Sequence, residues 1–373
     1  MMMDTNKVME YLERPVIQQY KSDVAFKTLV DSVNDNMYVI PKYQRKYRWN
    51  REQVEKLVES LIRGFPIPPI YTYRNSDNQL EILDGQQRVM SLFFYYIGYF
   101  LNLRKNSAIN FSKLEIGNLT FQQALMEQFQ LEELHIQLSA GNNKKIDVDY
   151  ATLPKAIKRK LDYTTITVIE IKIDQMEKRE EVLRTIFANL NKGGVILSDQ
   201  EQRNGVYNCE FYDMLQQFNS ENAKWRSIWG RENSKEKDME MLLRFCSLRK
   251  YTVLKNDNFV ITGYQSSYAK LLDQFSEEAL KFTKEEIQEY KRSLEEFVDL
   301  FCTNTTFSTS VALLESFYVI FEKKQFRKKI TKGLCDAVQA SKGYTSTSRQ
   351  GTINMKRMNE RWKVTYDISS RYN

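Results

Sequence analysis

Strand-forming sequence is concentrated in the first half of this chain. The run "TTITVIEIKI", rich in β-branched residues, reads as a sheet strand. After Lys172 only "NFVITGY" offers another. Segments such as "DMEMLLRFCSLRK", "KEEIQEYKRSLEEFVDLFC" and "SVALLESFYVIFEKK" repeat their apolar residues at helical spacing instead. The expected architecture is therefore α+β: a small mixed α/β domain over residues 1–174, then a mainly α-helical domain over 175–373. With 42% hydrophobic and 13% aromatic residues, the chain can bury a core in each.

Within the first part, helices are expected at Lys7–Glu13, at Ala25–Val33 and over "REQVEKLVESLIRG", where Val54, Leu57, Val58, Leu61 and Ile62 share a face and Gly64 ends the run. The prolines of "FPIPPIYTYR" forbid a helix, and "NSDN" turns this strand into "QLEIL", a hairpin. Residues 102–150 read as a polar insert with one helix near "FQQALMEQF". "LPKAIKRKL" reads as a short helix with Pro154 in its first turn, and "EEVLRTIFANL" as another.

Several chemistries are excluded. His135 is the sole histidine, so His-Asn-His nucleases, zincins and Ser-His-Asp triads lack their parts. No G-x-x-x-x-G-K-[ST] phosphate loop occurs. Cys209, Cys246, Cys302 and Cys335 form no Cys-x-x-Cys pair, which argues against a zinc ribbon and fits a reducing compartment. The opening "MMMDTNKVMEYLERP" has no apolar signal core, and no apolar run reaches the ~20 residues a membrane helix needs, so a cytoplasmic location is expected.

Four constellations carry chemistry. In "EILDGQQRVMSL" a strand ends at Leu83 and a helix starts near Gly85, so free N–H groups at a helix N-terminus face a possible anion. Gly85 admits a ligand close to the backbone, Arg88 can fork onto a phosphate, and Gln86 and Gln87 can orient a water or read a base edge. Asp84 either holds a metal ion or caps the helix.

The second is "IPKYQRKYRW": from Lys42 to Arg51 there are five cations and no acid, interleaved with Tyr43, Tyr47 and Trp49, a pattern suited to stacking on bases and clamping phosphates. Tyr47 and Trp49 are expected to fold onto the core, Gln44 and Arg45 to serve a site, and Lys42, Lys46 and Arg48 to reach nucleic acid. The third is "IFANLNKGGVILSDQEQRNGVY", in which Ser198 and Glu201 form a capping box and Asn189 and Asn191 can donate to a ligand.

In the fourth, "VIEIKI", Glu170 and Lys172 form half of a metal-dependent nuclease pattern, with Asp162 the nearby extra acid. Residues 323–373 hold thirteen Lys/Arg against three Asp/Glu within an overall net charge of +7. In "KKQFRKKITK" the cations Lys323, Lys324, Arg327, Lys328 and Lys329 either track a phosphate backbone or form a solvated face.

Taken in order, "IPKYQRKYRWNREQVEKLVESLIRGFPIPPIYTY", "LEILDGQQRVMSL", "LPKAIKRKLDYTTITVIEI" and "IFANLNKGGVILSDQEQRNGVY" resemble the N-terminal domain of GmrSD-type restriction endonucleases, which has a ParB/sulfiredoxin-like fold. The resemblance runs from about Tyr38 to Tyr207 and extends to "DMEMLLRFCSLR" and "TSTSRQGTINMKRMNERW". It implies an NTP-binding and NTP-hydrolysing module (GTP or ATP) of bacterial defence against phage DNA, often modified DNA. The family's site motifs carry over to Tyr43, Gln44, Arg45, Asp84, Gly85, Gln86, Gln87 and Arg88, and its asparagine-glycine segment to Asn191 and Gly194.

On that reading Arg45 and Arg88 hold phosphates, Asp84 lies near Mg²⁺, and Gln44 or Gln87 positions the attacking water. Many members append a His-Asn-His nuclease. This chain has no such motif, so that cleavage falls to a separately encoded partner. Two alternatives stand beside this: a non-enzymatic DNA-binding module that recruits a nuclease, and a self-contained Mg²⁺-dependent nickase built on Asp84, Glu170 and Lys172.

Overall fold

The computed structural model describes residues 17–41, 44, 46–102, 109–139, 145–173, 179–190, 198–233, 235–264, 267–302, 310–348 and 353–372. The chain divides into two compact units, residues 1–196 and 197–373.

In the first unit the order is β1 (Ile17–Ala25), α1 (Phe26–Asn34), β2 (Tyr38–Val39), α2 (Arg51–Arg63), β3 (Ile70–Arg74), β4 (Leu80–Asp84), α3 (Gln86–Ile97), β5 (Tyr99–Leu101), α4 (Phe121–Gln128), β6 (Leu131–Glu133), β7 (Gln137–Ser139), β8 (Lys145–Asp147), α5 (Lys155–Asp162), β9 (Thr165–Ile173) and α6 (Arg179–Leu190). A five-stranded mixed sheet runs β1-β9-β3-β4-β2. β9 pairs antiparallel with β1 and parallel with β3, which forms the expected hairpin with β4. The hairpin turn is held by Asn75, whose Oδ1 accepts from the amides of Asp77 (3.0 Å) and Gln79 (2.9 Å).

The larger core of this unit joins α1, α2 and α3 to Ile70, Ile82, Ile166 and Val168 of the sheet. α3 is buried from Gln86 through Tyr95 apart from Arg88, as a helix apolar nearly all round must be. Tyr47 is 1% exposed and packs edge-on against Phe94, Phe100 and Phe111, with its hydroxyl 2.7 Å from Ser91 Oγ. A smaller core joins Tyr73, Leu83, Ile171 and Ile173 to Val182 and Leu183 of α6. This packing keeps α6 with the sheet, so the first unit extends past residue 174, where the sequence reading had placed its end.

Several elements differ from the sequence reading, among them the short strands β6, β7 and β8 in the segment read as a polar insert with one helix. β1 was not anticipated: "IQQYKSDVA" is an edge strand mostly exposed along its length, so it lacks the apolar alternation that marks a half-buried strand. Pro154 is the N-cap residue of α5, one position ahead of its first turn. The helix expected at Lys7–Glu13 lies outside the described residues.

The second unit holds α7 (Asp199–Val206), α8 (Glu210–Glu221), α9 (Ala223–Trp229), α10 (Lys237–Tyr251), the hairpin β10 (Thr252–Lys255) and β11 (Asn258–Ile261), then α11 (Tyr268–Ala279), α12 (Lys284–Val298), α13 (Val311–Lys323), α14 (Lys332–Ala340), α15 (Lys342–Ser348) and α16 (Met355–Arg371). The hairpin turns through Asn256 and Asp257, both at positive φ (46° and 64°), and uses the expected "NFVITGY" strand. Ser198 and Glu201 form the expected capping box of α7. One aromatic-rich core unites the helices. Inside it Glu315, 1% exposed, lies between two arginines, with Arg361 Nη2 3.1 Å from one oxygen and Arg244 Nη1 3.4 Å from the other.

Candidate functional site

The Asp84–Arg88 turn is set by two backbone irregularities. β3 and β4 pair Thr72 with Ile82 and then Tyr71 with Asp84, so Leu83 is an extra residue in β4. Without this bulge Asp84 would pair with Ile70; with it Asp84 stands opposite Tyr71. The next residue, Gly85, is left-handed at φ 98°. A Cβ there would lie 3.2 Å from Ile70 Cγ1 and 3.3 Å from Arg88 Nη2, so glycine is required twice over.

Gly85 is also the N-cap of α3, and it supplies no side chain to the first-turn N–H groups. Asp84 therefore does not cap the helix. Its Oδ2 accepts from Arg88 Nη2 at 2.6 Å. Arg88 Nη1 donates to the carbonyls of Pro68 and, at 3.1 Å, Pro69. Burial pushes the Arg88 guanidinium below its usual pKa, while Asp84 and Tyr71 pull it back up.

The glutamines diverge in role. Gln87 is 4% exposed, and its Oε1 accepts from the amides of Arg48 (2.8 Å) and Trp49 (3.2 Å), while Nε2 donates to Lys46 O (3.3 Å). Gln44 donates from Nε2 to the carbonyls of Ile82 (2.9 Å) and Leu83 (2.7 Å), beyond the point where β2 stops pairing with β4. Both amides thus staple the basic loop to the β4–α3 junction, and the water-positioning role expected of them finds no support in this geometry. Gln86 is 3% exposed, yet among the described residues neither its Oε1 nor its Nε2 has a partner.

Tyr43, Arg45 and Lys42, together with Asn191 and Gly194, lie outside the described residues. Asn189 is exposed in the last turn of α6. Lys46 is 8% exposed, which withdraws most of its side chain from any nucleic acid; Arg48 is half-buried. The basic run after α13 is engaged within its own unit. Lys323 donates to Arg249 O (2.6 Å), Lys324 pairs with Asp257, and Arg327 lies 4.1 Å from the Phe321 ring centroid. Lys328 donates to Ser370 O and Tyr372 O (2.9 and 3.0 Å), and Lys329 to Asp299 O (2.8 Å). These cations serve mainly as carbonyl and carboxylate partners, a role that charge patterning alone does not reveal.

Glu170 is gripped by Arg74, Nε to Oε1 at 2.8 Å and Nη2 to Oε2 at 2.7 Å. It lies across β3 from Ile82 rather than from Asp84, and Asp162 accepts from Tyr150 Oη at 2.7 Å. The structure does not gather the acids of the nickase reading: among the described residues no three His, Cys, Asp or Glu side chains group as a metal site. His135 is exposed beside Asp149 (2.8 Å) and Glu133 (3.3 Å). No helix of the described residues is long and apolar enough to cross a membrane.

The sequence reading missed the Pro68 and Pro69 carbonyls that seat Arg88. The signal was present in "FPIPPI": a proline nitrogen cannot donate, so such a segment offers acceptors without competing donors.

Comparison with known proteins bears on identity. No curated protein matches the chain. Among solved structures it is similar to a Pnob8-like ParB-N domain, at 12% identity over 95% of this chain and 99% of that one, with a TM-score of 0.27, too slight a likeness to support a fold assignment. Residues 26–208 match the family of the GmrSD restriction endonuclease N-terminal domain. That span takes in the stapled loop, the Asp84–Arg88 turn and the Ser198 cap, and by it the chain carries a GmrSD-type N-terminal domain.

Proposed function

We propose that the Asp84–Arg88 turn binds the phosphates of a nucleoside triphosphate and hydrolyses it within a restriction-type phage-defence system. The observation that carries this reading is Gln86: a buried carboxamide with both polar atoms unpaired among the described residues, at the mouth of a helix that has no side-chain cap. An unmet buried amide costs about 1–3 kcal/mol, and a ligand that meets it removes that cost. The uncapped N–H groups of the first turn offer donors to a phosphate, and the left-handed Gly85 lets it approach. Arg88 is held in place by the Pro69 carbonyl and Asp84. An arriving phosphate competes with Asp84 for the guanidinium, so the carboxylate is released as the nucleotide seats.

Mg²⁺ would come with the nucleotide, coordinated mainly by phosphate oxygens, with Asp84 as its single carboxylate from the turn. Catalysis of this kind rests on positioning and charge neutralisation and needs no histidine base. DNA engagement belongs to the same proposal through the family, with cleavage left to a separate nuclease.

The test is ATP and GTP binding and turnover by Gln86→Leu and Arg88→Ala. Gln86→Leu should lower nucleotide affinity while leaving thermal stability unchanged or higher, because it removes an unmet polar group. Arg88→Ala should abolish turnover in protein that circular dichroism shows to be folded. Unaltered affinity in Gln86→Leu, or full turnover in Arg88→Ala, would sink the assignment. A steep salt dependence of DNA retention on filters without any NTP turnover would favour the non-enzymatic DNA-binding reading instead.

A further inference from the structure

The second unit contains a cavity of about 590 Å³. Its apolar lining is Trp229, Met241 and Val311, and its charged lining is Arg231, Lys237, Glu240 and Arg244. These charges are not equivalent. Arg244 is committed: Nη2 bonds Glu240 Oε1 at 3.0 Å, Nη1 reaches Glu315 Oε2 at 3.4 Å, and the guanidinium lies 4.1 Å from the Tyr268 ring centroid. Glu240 is therefore neutralised from within. Arg231 and Lys237 are exposed, and neither has a hydrogen-bond or ion-pair partner among the described residues.

Asn233, between the two, is tied on both sides. Asn233 Oδ1 accepts from Lys235 N (2.8 Å), and Asn233 N donates to Asp238 Oδ2 (3.2 Å). Asp238 is 0% exposed and also holds Arg226 Nη1 at 3.0 Å. Three lining cations against one acid leave a surplus of two positive charges over a recess with an apolar wall.

We propose that this cavity is a second ligand site, separate from the Asp84–Arg88 turn, for a small phosphate-bearing molecule: a nucleotide or a free polyphosphate. Its volume falls within the few hundred to about 1,000 Å³ typical of small-molecule sites. Arg231 offers a fork and Lys237 a point charge to phosphate oxygens, and both are available because no acid among the described residues neutralises them. Trp229, Met241 and Val311 give a base an apolar surface that a bare polyphosphate does not use.

Hydrogen–deuterium exchange of the full chain, with ATP and separately with pyrophosphate, reads both sites in one experiment. Peptides over residues 229–244 should gain protection that Arg231→Ala/Lys237→Ala abolishes, with at least a tenfold loss of affinity there. Protection by pyrophosphate as well as ATP identifies the polyphosphate as the recognised part; protection by ATP alone identifies the nucleotide. Both substituted residues are exposed, and thermal unfolding checks that the variant folds. The proposal is overturned if neither ligand protects residues 229–244, or if the double variant keeps full protection. Peptides over residues 84–97 report the Asp84–Arg88 turn independently, so failure at one site is distinguishable from failure at the other.

Discussion

Gln87 holds Arg48 by its backbone: the carboxamide oxygen on the first turn of α3 accepts the Arg48 amide at 2.8 Å and the Trp49 amide at 3.2 Å. A motif residue that looks catalytic in sequence is here a brace between the helix and the basic loop. Gln87→Ala should leave these buried amides without their acceptor and destabilise the first unit by about 1–3 kcal/mol. Faster exchange of the Arg48 and Trp49 amides by NMR would show it. Unchanged exchange would return Gln87 to the list of candidate catalytic groups.

Gly85→Ala tests the turn itself. A left-handed alanine costs about 1–2 kcal/mol, and the added Cβ also presses on Ile70 and on the Arg88 guanidinium. The expected result is lower stability together with weaker nucleotide binding, measured by urea denaturation and calorimetric titration. A variant as stable and as tight as the parent would contradict the geometry described for this turn.

The lone histidine gives a direct pH reading. Asp149 and then Glu133 raise the pKa of His135 above its ordinary 6.5. A group whose folded pKa is raised contributes stability that is fully present below pH 6.5 and fades as pH rises through the folded value. The ring-proton NMR titration should therefore have its midpoint above 6.5, and Asp149→Asn should move it down. A parent midpoint at or below 6.5 would show that the two carboxylates do not act on the ring.

Glu315 tests the helical core. Glu315→Ala removes the carboxylate that Arg244 and Arg361 share, while Arg244 keeps Glu240, and should cost about 3–5 kcal/mol. Replacing all three residues with apolar ones of similar volume should cost much less. Chemical denaturation of both variants settles the comparison, and equal losses would mean that packing rather than charge governs the site.

Periodicity revealed most of the fold. β9, α2 and the β3–β4 hairpin were legible because burial on one face writes apolar spacing into the sequence. β1 was hidden because it buries little, and α6 was assigned to the helical part because a helix carries no mark of the sheet it covers. At the site, Arg88 and Gly85 were legible as residue types. The division of labour between Gln86 and Gln87 was not, since adjacent residues on a helix point in different directions and identical side chains meet different surroundings. The basic run misled for a related reason: composition counts cations, whereas Lys328 and Lys329 spend theirs on carbonyls of their own unit.

The extra residue in β4 has an implication for how this motif tolerates change. Because Leu83 is unmatched in β3, the strand behaves like a gear with one surplus tooth, and the phase of everything after it depends on that tooth. Pressing Leu83 into regular pairing with Tyr71 would preserve every letter of "DGQQR" and still bring Asp84 opposite Ile70 in place of Tyr71. The motif would remain intact as text while its carboxylate and arginine were dealt to the wrong neighbours.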